Sequence, residues 1–222
     1  MNTVPPGIRL AFDCVVLTVL DRQLHVALAK RRQKNEVGQS DPFHGALRLP
    51  GGYVREDEAI ADTIQRRLGP EIGLNLRPVH FGVFDDPARD PRHRVVSIAY
   101  YALSSTTQAN RLSWGAAYEE GSWLPLEKLP RRGWAFDHLQ IVRGALSALR
   151  TLAERQPIGF ELLPREFSIR ELHVLQEQIR GCELDFRNFR KAALAAGIIE
   201  EVGERPSERG LPTKLYRHVD RK

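Results

Sequence analysis

The chain has 222 residues, 42% of them hydrophobic and 27% charged, with a formal net charge of +5. These proportions are ordinary for a soluble globular protein of one large or two modest domains, and no repeat or low-complexity segment appears. The basic balance suits a polyanionic partner without requiring one. Two cysteines, Cys14 and Cys182, are too few for a zinc site of the usual type and read as buried thiols of a reducing cytoplasm. The N-terminus has no signal-peptide pattern. Cys14 to Leu20 is apolar but short and bounded by Asp13 and Asp21, so it predicts a strand and not a membrane span.

In chain order, Met1 to Gly7 carries Pro5-Pro6 and predicts an extended arm. Phe12 to Leu20 and Leu24 to Ala29 predict a hairpin around Asp21-Arg22-Gln23. A basic run, Lys30-Arg31-Arg32, and a polar loop from Gln33 to Pro42 follow. Phe43 to Leu49 lead into Gly51-Gly52. Asp57 is placed to cap a helix whose buried stripe is Ile60, Ile64 and Leu68. Gly69-Pro70 predicts its end or a kink, because proline lacks the backbone donor and clashes with the preceding turn. Leu76 to Phe84 and Arg94 to Leu103 predict strands, joined by a turn-rich loop in which Arg89 reads as a surface charge. Ser104 to Ala117 reads as a polar connection, and Ser122 to Leu126 as a strand entered through a solvated turn at Glu119-Glu120. Asp137 to Arg155 predicts an amphipathic helix with Leu139, Val142, Leu146, Leu149 and Leu152 at helical spacing. His138, alone near its cap, reads as structural. Gln156-Pro157-Ile158-Gly159 marks a boundary between residues 1–156 and 157–222.

Leu49-Pro50-Gly51-Gly52 and the residues after it resemble the Nudix box. Gly52, Glu58, Arg66, Leu68, Glu71, Gly73 and Leu74 match the family pattern at the right spacings. The resemblance implies an α/β/α sandwich with a mixed sheet, within an α+β chain. In the family, carboxylates at positions 67, 70 and 71 hold Mg²⁺, which bridges the phosphates of a nucleoside diphosphate derivative. Here those positions are Arg67, Pro70 and Glu71. Mg²⁺ needs several hard oxygen ligands, so no metal is expected, Glu71 being the one remaining ligand, and no catalytic residue. By the same resemblance Arg31, Phe43, Gly51, Gly52, Glu71 and Arg92, the last within Asp90-Pro91-Arg92, are the expected effector-binding residues. Arg31 also reads as part of a solvated basic cluster.

In the C-terminal part, Ser168-Ile169-Arg170-Glu171 is a capping box. It opens a helix with Leu172, Leu175 and Ile179 on its inner face, ended by Gly181. Asp185 caps a second helix, buried through Phe186, Phe189, Ala193 and Leu194 and ended by Gly197. Ile198 to Val202 and Lys214 to Val219 predict two strands around a loop containing Arg209. This is the order of a winged helix-turn-helix. Arg187, Asn188, Arg190 and Lys191 on the second helix, with Arg209, Lys214 and Arg217 in and beside the wing, are the candidate DNA contacts. Residues 158–222 hold 12 basic and 11 acidic residues, so the positive charge is clustered and not global.

Ala135-Phe136-Asp137-His138, Asn188-Phe189-Arg190-Lys191 and Arg209-Gly210-Leu211-Pro212 extend the resemblance to Nudix-related transcriptional regulators, which include repressors of NAD metabolism. It implies a cytoplasmic homodimer in which ADP-ribose or a related nucleotide or sugar derivative controls binding to dyad-symmetric operator DNA. Two alternatives stay open. One is an active Nudix hydrolase of nucleoside diphosphate derivatives using Mg²⁺. The other is a nucleotide-binding module whose winged helix contacts protein.

Overall fold

The structure, a computed structural model, describes residues 7–33, 40–115, 118–155, 157–206 and 210–219. The expected N-terminal arm through Pro6, residue Gln156 at the expected boundary, and Arg209 lie outside them.

Strands β1 (Arg9–Leu20) and β2 (Gln23–Lys30) form the expected hairpin. Its two-residue turn holds Asp21 and Arg22 at φ 48° and 62°, the left-handed pair that matches the twist of the strands. Among the described residues they belong to a seven-stranded mixed sheet with β3 (Leu47–Arg48), β4 (Gly51–Tyr53), β5 (Val79–Phe84), β6 (Val95–Leu103) and β7 (Glu119–Pro125). β1 pairs in parallel with β6. β2 runs antiparallel to β3 and β7, and β1 antiparallel to β4.

The alternation along β1 sends side chains to two cores. Phe12, Cys14 and Val16 pack with Ile64, Leu68 and Ile72 of helix α1 (Ile60–Ile72). Val15 and Leu17 pack with Ile141, Val142, Ala145 and Leu149 of helix α3 (His138–Arg155). One helix on each face gives the α/β/α sandwich. A short helix α2 (Thr106–Ala109), capped by Ser105, interrupts the polar connection before β7.

Several local expectations give way to tertiary packing. α1 runs through Gly69-Pro70 to Ile72 and ends at Gly73, which is left-handed at φ 71°. An interior proline costs ~3 kcal/mol. Burying Leu68, Ile72 and the following Leu74 returns about 1.5–3 kcal/mol each, which is enough to hold the last turn in place. Asp57 does not cap α1: the N-cap is Ala59, without a side-chain hydrogen bond. Along α3, Leu152 is 43% exposed, while Ile141, Ala145 and Ala153 fill the buried stripe beside Val142 and Leu149. Cys14 is buried as expected, but Cys182 is exposed.

The C-terminal part comprises α4 (Ile169–Arg180), α5 (Phe186–Ala195), β8 (Ile199–Arg205) and β9 (Thr213–His218). The capping box forms as expected: Glu171 accepts from the Ser168 amide at 2.6 Å, and the Ser168 hydroxyl accepts from the Glu171 amide at 3.2 Å. The inner face of α4 is divided between two cores. Leu172 packs with Phe167, Phe189 and Tyr216, whereas Leu175 and Ile179 join the core around α3. Gln176, fully buried between them, donates to the Ile158 carbonyl at 2.7 Å and so pins the connecting segment. On α5, Phe186 and Leu194 are 37% and 39% exposed, and Phe189 and Ala193 are the buried anchors, with the Phe186 ring edge-on to His173 at 5.2 Å. Among the described residues, no helix is long and apolar enough to cross a membrane.

Candidate functional site

The site is assembled around Asp13, in the middle of β1 opposite Gly51 of β4 and Ala99 of β6. Gly51 is required there, because a Cβ would lie 2.3 Å from the Phe12 carbonyl oxygen and 2.7 Å from Asp13 Oδ1. The buried Asp13 carboxylate accepts from Ser97 Oγ at 2.6 Å and from Arg89 Nη2 at 3.3 Å. His138 Nδ1 accepts from the Leu49 amide at 2.9 Å, which leaves Nε2 to face Asp13 Oδ1 at 3.2 Å. Burial pushes the Asp13 carboxyl up, but His138, Arg89 and Ser97 outweigh it and hold the group well below the usual carboxylate range. Arg89 also grips Asp137 through Nε at 3.0 Å and Nη2 at 2.7 Å. It is thus a buried tie between β1, the 85–93 loop and the start of α3, and not the surface charge its loop suggested. His138 is structural, as expected.

Beside this tie stands Phe136, at φ 51°. Its ring faces the guanidinium carbons of Arg31, Arg92 and Arg89 at 5.0, 5.5 and 5.8 Å, and the Phe43 ring at 4.5 Å. Arg31 is bound to Asp41, with Nε at 2.8 Å. Arg92 holds Asp90 through two contacts of 2.9 Å and approaches Asp41 at 4.0 Å. The structure therefore brings Arg31, Phe43 and Arg92 together on one aromatic plate, with Arg31 paired and mostly buried, not part of a solvated cluster.

Gly51, Gly52 and Glu71 gather at a neighbouring position. The Arg67 guanidinium lies against Gly52, where a Cβ would sit 2.8 Å from Nε, and Arg67 Nη1 donates to Glu71 Oε1 at 2.7 Å. Arg48 stands beside this second position. It donates to the carbonyls of Gly51 at 3.1 Å and Leu49 at 3.4 Å, and lies over the Tyr118 ring at 4.7 Å. Burial is the main influence lowering its pKa, and the charges of Arg31 and Arg67 add to it. In the sequence Arg67 stands out only as a mismatch, Phe136 only as part of the Ala135-Phe136-Asp137-His138 junction, and Arg48 not at all. The usable signals were an arginine just before Leu-Pro-Gly-Gly and an aromatic residue just before the α3 cap.

Elsewhere in the box, Glu58 binds Arg66 through contacts of 2.7 and 2.6 Å and accepts from the Thr63 hydroxyl at 2.7 Å. The Arg66 hydrogen bonds lead in lowering the Glu58 pKa to about 2, from 4.5. Because the folded-state value is depressed, this stabilisation is present above pH 4.5 and lost as the pH falls toward 2. Thermal unfolding at a series of pH values should show the melting temperature of Glu58→Gln depending less on pH in that window than that of the parent; parallel curves would contradict it. Glu119 and Glu120, expected as a solvated turn, instead open β7, and Glu120 is bound to Lys30.

These residues do not fit the family's divalent cation. Of the three metal-binding positions only Glu71 is a carboxylate, and it is paired with Arg67. Among the described residues, no group of three or more His, Cys, Asp or Glu side chains is placed to hold a metal ion.

On the winged helix, Arg187, Asn188, Arg190 and Lys191 are all exposed on α5, and none makes a side-chain hydrogen bond or ion pair within the described residues. The wing strands differ. Lys214 is bound to Glu201 at 2.8 Å and Arg217 to Glu200 at 3.2 Å.

A mixed sheet between two helices, with a short Gly-Gly strand leading into the helix that carries Arg66 and Glu71, defines a Nudix domain, here continued by a winged helix. Residues 8–144, more than half of the chain, match the NUDIX domain, and the chain belongs to that family. Residues 159–218 match the NrtR DNA-binding winged helix domain. The chain is similar to the ADPR responsive transcriptional repressor NtrR of Acinetobacter baylyi, at 25% identity over 96% of this chain and 82% of that protein. It resembles Shewanella oneidensis NrtR in complex with a 27mer DNA, at 28% identity and a TM-score of 0.80, covering 95% of this chain and 93% of that one. The NUDIX domain of Shewanella oneidensis NrtR, solved with ADP ribose, matches at 28% identity and a TM-score of 0.56, over 67% of this chain and 94% of that one.

Proposed function

We propose that the chain is an ADP-ribose-responsive transcriptional repressor in which a non-hydrolytic Nudix domain, residues 1–156, controls operator binding by a winged helix, residues 157–222. The observation that carries this reading is the likeness over nearly the whole chain to a regulator solved on DNA, joined to an α5 whose polar face is exposed and unpaired. The relative solved with ADP ribose supports that effector, and the Phe43–Phe136 plate with Arg31 and Arg92 offers aromatic and cationic groups suited to a nucleotide diphosphate. Arg187, Asn188, Arg190 and Lys191 carry the DNA contact, with Arg209, Lys214 and Arg217 supporting it from the wing. The repressor acts in the cytoplasm as a homodimer on dyad-symmetric DNA, and the division of α4 between two cores gives the sensor a mechanical connection to α5.

Two measurements test this reading. Titration calorimetry with ADP-ribose should show saturable binding. Purified protein supplied with Mg²⁺ or Mn²⁺ should turn ADP-ribose over far below ~1 s⁻¹, the low end of ordinary enzyme rates. Turnover at that rate or above would replace the sensor by a hydrolase.

A further inference from the structure

The misfit between the Nudix box and a divalent cation has a positive counterpart in the same cleft. Arg67 occupies a position where the family has a metal-binding carboxylate, lies against Gly52 and neutralises Glu71, the one carboxylate left. Arg48, close by, has no carboxylate partner among the described residues: it contacts two backbone carbonyls and the Tyr118 ring. Arg31 is near enough for its charge to act on Arg48. The cleft therefore presents guanidinium groups where an active relative would present carboxylates and their cation. A guanidinium can take phosphate oxygens in pairs, and in a partly dehydrated cleft its fixed charge does what a bridging cation would otherwise do.

We propose that Arg67 and Arg48 receive a diphosphate directly, so that ligand binding in this cleft needs no divalent cation. The inference rests on the effector reading above, but it concerns how the charge of the diphosphate is met, whichever nucleoside or sugar is attached.

The test is calorimetric titration of the full chain with ADP-ribose, and separately with inorganic pyrophosphate, in EDTA and then in excess Mg²⁺. The affinity for ADP-ribose is expected to be the same within about twofold in the two buffers, since no charge-assisted contact depends on the metal. Arg67→Gln and Arg48→Gln should each weaken binding roughly ten- to a hundredfold, the range for losing a hydrogen bond to a charged group. Circular dichroism of both variants separates this loss from misfolding, and two substitutions allow one to fail to fold without ending the test. Binding that appears only with Mg²⁺ overturns the inference and leaves the effector reading standing. Pyrophosphate binding in EDTA without any ADP-ribose binding supports the inference and overturns the effector reading. Absence of both in either buffer overturns both, as does folded Arg67→Gln and Arg48→Gln protein that binds like the parent for the inference alone.

Discussion

Arg89→Ala will lower the melting temperature by roughly 6–20 °C, which corresponds to about 3–5 kcal/mol for breaking a buried ion pair in a chain of this size. The effect is large because two carboxylates, Asp13 and Asp137, lose one shared partner. Arg89→Lys restores the charge but not the fork that reaches both acids, and should fall between the parent and the alanine variant. Thermal unfolding of the three proteins checks this, and a melting point for Arg89→Ala within ~1 °C of the parent, far below the loss expected for a buried pair, would show that the tie carries no load.

The second large effect is on DNA. Asn188→Ala and Arg190→Ala should each weaken operator binding by ~1–3 kcal/mol and relax sequence preference, as removal of a base contact does. Lys191→Ala should weaken all sequences alike and reduce the slope of the salt dependence by about 1. Lys214→Ala and Arg217→Ala should cost less, because each side chain must first leave Glu201 or Glu200 to reach a phosphate. Gel-shift titration against the DNA upstream of the chain's own gene, with circular dichroism on each variant, measures all five. Parent-like binding by folded Asn188, Arg190 and Lys191 variants would remove α5 as the recognition helix and favour a protein-contact role for the winged helix.

What the sequence made legible follows from what is local. The hairpin at Asp21-Arg22, the capping box at Ser168 and the Gly-ended helix α4 depend on a few neighbouring residues, and all were readable. Of the end or kink expected at Gly69-Pro70, the end does not form, because proline's penalty is local while the burial of Leu68, Ile72 and Leu74 that outweighs it is tertiary. Arg89 was misread for the same reason: its loop is rich in turn residues, and the two acids that bury it lie 76 and 48 positions away. The exposure of Phe186 and Leu194 reflects a small domain whose core around α5 reaches only Phe189 and Ala193. The mismatch at position 67 was visible at once, but its partners were not. That Arg67 would lie on Gly52 and hold Glu71, beside Arg48, required the helix to continue past Pro70 and β3 to bring Arg48 alongside.

Control of DNA binding by one ligand in the Nudix domain is the coupling on which the proposed function rests. It is tested most directly by fluorescence anisotropy of a labelled operator fragment, titrated with the full chain in the presence and absence of saturating ADP-ribose. The account predicts that ADP-ribose weakens operator binding by roughly 5- to 150-fold, and that saturating operator weakens ADP-ribose binding by the same factor, since the coupling is reciprocal. Superimposable DNA isotherms with and without ADP-ribose, from protein shown by calorimetry to be saturated with it, would contradict the account.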